Sequence, residues 1–154
     1  MIEQLLETWS IHNRINLFLL ESIPSEALEI SPPGGKGRGI GEQFFHLHKV
    51  RLMWFKEAAP ALLEGLEELE KEDAGSMTKL AQCLIDSGER VEQLLRIGLN
   101  ENKIKGFKPH PVAFLGYLIS HESHHRGQIA LLAKQLGFPL NKKTAYGMWE
   151  WGVR

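Results

Sequence analysis

The sequence predicts an all-α fold, a four-helix bundle forming a single domain over residues 1–154, and three observations predict it. Four stretches repeat apolar residues at helical spacing, no stretch alternates as a half-buried strand does, and Pro and Gly gather in the breaks between them. There is no internal repeat. A chain of 154 residues is long enough to bury a continuous core without disulfides.

The first helix is expected from Ile2 to about Glu21, where Leu5, Leu6, Trp9, Leu17 and Leu20 share a broad face with Asn13 and Asn16. Pro24 ends it. Ser31-Pro32-Pro33-Gly34-Gly35-Lys36-Gly37-Arg38-Gly39 is too rich in Pro and Gly for regular structure and belongs to a flexible connector of about fifteen residues. Its glycines and two cations lead into a helix N-terminus, which suits an anion. A phosphate loop is nevertheless not expected, because no Ser or Thr follows a Gly-Lys pair and no hydrophobic strand precedes the glycines.

The second helix begins near Ile40 and runs through Gln43, Phe44, His46, Leu47, Val50, Met53, Trp54 and Phe55 to about Ala58, with Pro60 enforcing the break. A Glu-rich stretch from Glu64 to Asp73 reads as solvated. The third helix starts at Ser76 and carries Met77, Leu80, Ala81, Leu84, Val91, Leu94 and Leu95 on one stripe, which Gly88 interrupts without ending. Asn100 to His110 reads as a polar loop, and Pro111 suits the first turn of a fourth helix that reaches about Leu136 before Gly137 and Pro139. The tail Tyr146-Gly147-Met148-Trp149-Glu150-Trp151-Gly152 is too aromatic to be solvated and is expected to pack on the bundle or on a partner chain.

A composition of 43% hydrophobic and 24% charged residues is that of an ordinary globular protein, and a formal charge of -1 gives no long-range field. Neither nucleic acid nor an anionic membrane is an expected partner on these grounds. No apolar run approaches membrane-spanning length, and the N-terminus lacks the basic segment and apolar run of a signal peptide. The single cysteine, Cys83, lies in an apolar helical pattern and reads as a small buried side chain, which fits a reducing cytoplasm.

The chemistry concentrates in the fourth helix, at His121, His124 and His125. Residues four apart lie one turn apart on one helix face, so His121 and His125 can present imidazole nitrogens to a common point. His124 is rotated from His125 by about 100° and stays outside that point. Phe114, Leu118, His121, His125, Gln128 and Leu132 form one continuous stripe, taken as the core-facing one. Two histidines there need partners, either a metal ion or polar groups such as Asn13, Asn16 or Gln43. His121-Glu122-Ser123-His124-His125 has the letters of an H-E-x-x-H motif, but Glu122 sits elsewhere on the helix than the stripe of the two histidines, so a zincin is not expected, and no carboxylate on the ligand stripes stands out as a general base.

A third histidine on the second helix favours the metal. His46 shares a stripe with Gln43, Val50, Met53 and Trp54, and His48 shares another with Phe44, Phe45, Leu52 and Phe55; periodicity does not choose between them. Three neutral imidazoles on two facing helices leave coordination positions open, as catalytic sites do, so that a bound water or thiol would be acidified.

Three segments together resemble the DinB/YfiT-like metal-binding four-helix bundles: Ile40-Gly41-Glu42-Gln43 leading to His46-Leu47, Val50 and Trp54; His121-Glu122-Ser123-His124-His125-Arg126-Gly127-Gln128-Ile129; and Trp149-Glu150-Trp151-Gly152. The resemblance covers most of the chain, and its second segment is the most specific. It implies a metal triad of one histidine from the second helix and two, four apart, from a later one, which falls on His46, His121 and His125. In that family the first ligand stands just before an apolar residue and eight before an aromatic one, and His46 has Leu47 and Trp54 there. His48 is then a surface residue or one behind the ligands. Gln128 and Asn13 are candidates to orient a ligand or bound water; Arg126 is a candidate anion clamp or interface residue, with a salt bridge to another helix as its plainer role. Gly127 is expected to permit close helix approach.

Members of that family include metal-dependent transferases that use low-molecular-weight thiols such as bacillithiol or mycothiol, a thiol-dependent isomerase, and presumed hydrolases. The resemblance therefore implies a small cytoplasmic enzyme whose divalent metal, zinc or nickel with iron and manganese also suited, activates a thiol or water toward a small-molecule substrate. The competing expectation is a non-catalytic bundle that binds a ligand or partner around a structural or vestigial metal site. No catalytic residue is singled out. No basic patch supports DNA binding, and the apolar faces and Trp-rich tail predict a homodimer.

Overall fold

Three of the four long helices begin with a side chain that accepts from a free backbone amide at the helix start. In the computed structural model, which describes residues 1–154, α1 spans Ile2–Ser22, α2 Ile40–Ala58, α3 Met77–Glu101 and α4 Pro111–Gln135, with a short α5 at Lys142–Gly147. Ser76 caps α3 by accepting from the Lys79 amide, and His110 caps α4 by accepting from Ala113 through Nδ1. Glu42 reaches back to the Gly39 amide at the start of α2. Asn102, left-handed at φ 53°, ends α3. No strand forms; the only β-type pairing is an isolated bridge between Ile104 and Phe107. No helix is long and apolar enough to cross a membrane.

The buried residues sort into two apolar clusters stacked along the bundle. One joins Leu19 and Leu20 of α1, Ile40, Phe44 and Leu47 of α2, Leu80 and Leu84 of α3, and Ile129 and Leu132 of α4. The other joins Leu6 and Trp9, Phe55, Val91, Leu94 and Leu95, and Phe114, Leu115 and Leu118. The start of α2 thus meets the end of α1 and the start of α3, whereas the start of α4 meets the start of α1. The order is up-down-down-up, which the sequence left open. Residues 59–76 accordingly carry the chain back along the bundle so that α3 runs parallel to α2. α1 and α2 face each other across the diagonal, each flanked by α3 and α4.

That long crossing is less solvated than its glutamates suggest. Leu62 and Leu69 are buried, the Glu67 carbonyl meets His48, and Lys71–Gly75 forms a short 3-10 turn seated on α2. Gly41 allows this: a Cβ there would collide with the Ala74 carbonyl oxygen. The connector after α1 also differs from the flexible link expected. Ser25–Ala27 is a 3-10 turn, Ala27 and Leu28 are buried, and the Leu28 carbonyl accepts from the Gly41 amide, leaving residues 31–38 largely exposed. Gly127 makes no close approach within the chain, since a Cβ there would meet nothing. In the tail, Met148 packs on the core and Arg154 stacks on Phe18 at 3.7 Å, while Trp149 stays 80% exposed.

Candidate metal centre

His46 on α2 and His121 and His125 on α4 converge, with one potential ligand atom from each lying within 4.8 Å of the others. The ring centroids are 5.4 Å apart for His46 and His121 and 4.7 Å for each of the other two pairs. His48, the alternative on α2, is buried on another face, where its Nε2 lies 3.3 Å from the Glu67 carbonyl. It is neither a surface residue nor behind the ligands, because the crossing segment covers it.

The three imidazoles are built to stay neutral. Burial, with the charges of His121, His46, His124 and Arg38 adding to it, pulls His125 down to about 4. His46 and His121 are lowered chiefly by burial as well. A neutral imidazole keeps a lone pair for a metal. His125 donates through Nδ1 to the Gln43 carbonyl oxygen at 2.5 Å, which leaves its Nε2 as the lone-pair nitrogen. His121 Nδ1 is buried with no protein partner. Neutral donors, a fixed tautomer and an unpartnered buried nitrogen all suit a divalent metal ion.

Other candidates fall elsewhere. Gln128 is exposed and donates to His124 Nε2 at 3.0 Å, so it neither faces the core nor touches the triad. Asn13 is buried, yet it accepts from Arg51 and donates to the Leu84 carbonyl instead of orienting a ligand. Arg126 makes no salt bridge; its guanidinium donates to Asn16 Oδ1 at 2.6 Å, to His12 Nδ1 at 3.2 Å and to Ser123. His124 is exposed, as its rotation implied.

The residues missed in the sequence are Glu122, Arg51 and His12, and they form a polar layer between the two apolar clusters. Glu122 is 1% exposed and takes Arg51 Nε at 2.8 Å on Oε1. Its Oε2 accepts from Arg51 Nη2 at 2.9 Å, His12 Nε2 at 2.9 Å and Asn16 at 2.7 Å. Arg51 spends its remaining donors on the Leu84 carbonyl, Ser87 and Asn13, so this one side chain ties all four helices together. Burial opposes ionisation of Glu122, but the Arg51 charge and the hydrogen bonds from His12 and Arg51 outweigh it and hold the carboxyl well below the usual range. His12 is kept neutral by burial, against the pull of Glu122.

A signal for this layer was present. On α4 the buried positions are Pro111, Phe114, Leu115, Leu118, Glu122, His125, Ile129, Leu132 and Ala133, a stripe that takes in Glu122 and Ile129 where the expected one ran through His121 and Gln128. On α2 Phe44, Leu47, Arg51 and Phe55 form a buried stripe. Each core stripe carries one charge, and the two are opposite in sign.

Beside the triad, a cleft of about 580 Å³ opens along the outer side of α2 and shares His46 with it. The motif Gly41-Glu42-Gln43 serves both: Gly41 seats the segment that forms one wall, Glu42 caps the helix, and Gln43 holds His125. Among known proteins, the model of the DinB family matches residues 1–150. No curated protein matches the chain.

Proposed function

The chain belongs to the DinB family, and from that membership and the histidine cluster we propose a small cytoplasmic metal-dependent enzyme that activates a thiol or water toward a small molecule. The carrying observation is the convergence of His46, His121 and His125 from two helices, with Gln43 setting the tautomer of His125. Those three would hold the ion, zinc or nickel in first place, and a divalent ion there acts as a Lewis acid that lowers the pKa of a thiol or water. Thiol transfer and hydrolysis are both open to such a site.

The protein's own groups supply position more than proton transfer. Glu122 and Glu42 are the acidic residues next to and one turn from the ligands, and both are occupied as acceptors and held below the usual carboxylate range. A carboxylate of low pKa is a weak base. That observation favours the second reading, a bundle that binds metal and a ligand without turnover. Elemental analysis of protein purified without chelator, chelator-competition titration, and a thiol-transfer assay with and without metal separate the outcomes. Absence of any bound or titratable ion overturns both readings; metal binding with no turnover on thiol or ester substrates leaves the second.

The proposal includes a homodimer. Leu131 is 59% exposed, and Gly116 and Gly127 of α4 have no neighbours where a Cβ would stand, which leaves that face open to a second copy. A monomeric mass by light scattering at micromolar concentration overturns this part.

A further inference from the structure

The cleft shared with His46 has a polarity of its own. Phe45, Val50, Met53 and Leu69 supply apolar wall, and three cations and two carboxylates ring it: Arg38, Lys49, Lys71, Glu42 and Glu70. The cations are not equivalent. Lys71 is paired with Glu42 at 3.2 Å, and Lys49 lies over the Phe45 ring at 5.3 Å from its centroid. Arg38, on the exposed end of the connector just before α2, has no carboxylate within salt-bridge distance and no side-chain hydrogen bond. It lines the cleft together with His46.

We propose that this cleft is the substrate pocket of the metal site and selects a small molecule with a carboxylate at one end, held by Arg38, and an apolar body laid along Phe45, Val50 and Met53. The proposal rests on the metal-site reading for the identity of the reacting end. A guanidinium offers paired donors that match a carboxylate, and 580 Å³ falls inside the roughly 300–1,000 Å³ of small-molecule sites. Three cations against two carboxylates leave the cleft one net positive charge, which suits a single negative charge better than a dianionic phosphate. The long gap between α2 and α3 serves the same end, because Leu69, Glu70 and Lys71 form the wall opposite α2.

The test uses the full chain and two separate measurements. In metal-free protein at about pH 8, where the lowered histidines are neutral, NMR titrations compare 4-phenylbutyrate with its uncharged counterpart 4-phenyl-1-butanol. The shifts should map to Arg38, Phe45, Val50 and Met53. The carboxylate-to-alcohol affinity ratio should fall about three- to fivefold in Arg38→Gln and be largely retained in Arg38→Lys, the size of an exposed ion pair. An unchanged ratio in Arg38→Gln, or shifts mapping elsewhere, overturns the proposal. Chelator competition on the same variants reads the metal separately and should show no change in Arg38→Gln. Loss of all metal binding in the unsubstituted protein sinks the metal reading, while the metal-free ratio still decides Arg38.

Discussion

His121 and Glu122 are consecutive on α4 and face different worlds. His121 points to a half-exposed cluster of imidazoles in which its own Nδ1 has no partner and only His125 is oriented by a neighbour. Glu122 points into a layer where both carboxylate oxygens and every N–H of Arg51 are matched. The saturated layer has no capacity left for a ligand, so it serves to hold α4 at one rotation relative to α1, α2 and α3. The unsaturated cluster retains donors, and that capacity is what binding requires. A buried polar group is thus a functional candidate when its partners are missing, and a structural one when they are complete.

The largest effect expected from breaking this contrast lies in the layer. Glu122→Ala leaves Arg51 buried without its counter-charge and should cost about 3–5 kcal/mol in denaturant unfolding. A loss below about 1 kcal/mol would show that the layer is not a lock. In the cluster the order of effects reverses. His125→Ala should cut metal affinity by more than about a hundredfold, beyond what loss of a supporting residue costs, while metal-free stability changes little. Gln43→Ala, which frees the His125 ring, should weaken metal about ten- to a hundredfold in the same competition titration.

The pH dependence should separate the two regions in one experiment. His125 is lowered from 6.5 to about 4, so the unfolded chain binds the extra proton between those values. The stability this contributes is present in full above pH 6.5 and is lost as pH falls through about 4, with His12, His46 and His121 shifted in the same direction. Glu122, held below its ordinary 4.5, adds a second loss only at lower pH. Denaturation of metal-free His125→Asn should show a flatter slope in the first window and an unchanged second one. The smallest effect belongs to Gln128→Ala, which should stay within about 0.5 kcal/mol and leave metal affinity unaltered, since its partner is the exposed His124.

Much of the bundle was legible because helix periodicity and end signals are local. α2 begins and ends at the expected Ile40 and Ala58, Ser76 caps α3, and Pro111 opens α4. The histidine spacing was legible for the same reason, as residues four apart share a face wherever the helix goes. Rotation about the helix axis was harder. The stripes through His121 and Gln128 and through Glu122 and Ile129 share Phe114, Leu118, His125 and Leu132, so apolar spacing alone did not decide between them. A charged residue such as Glu122 is buried only where a counter-charge faces it, and Arg51 lies on another helix.

By itself the sequence determined the four helices, their ends, and a pair of imidazoles one turn apart on α4, because propensity, capping and 3.6-residue spacing act within a few residues. Only the tertiary structure decided the up-down-down-up order, the meeting of His46 with residues 75 and 79 positions away, and the burial of Glu122 against Arg51. The physical reason is that desolvating a charge is unfavourable unless its counter-charge arrives, and that arrival depends on how distant helices pack.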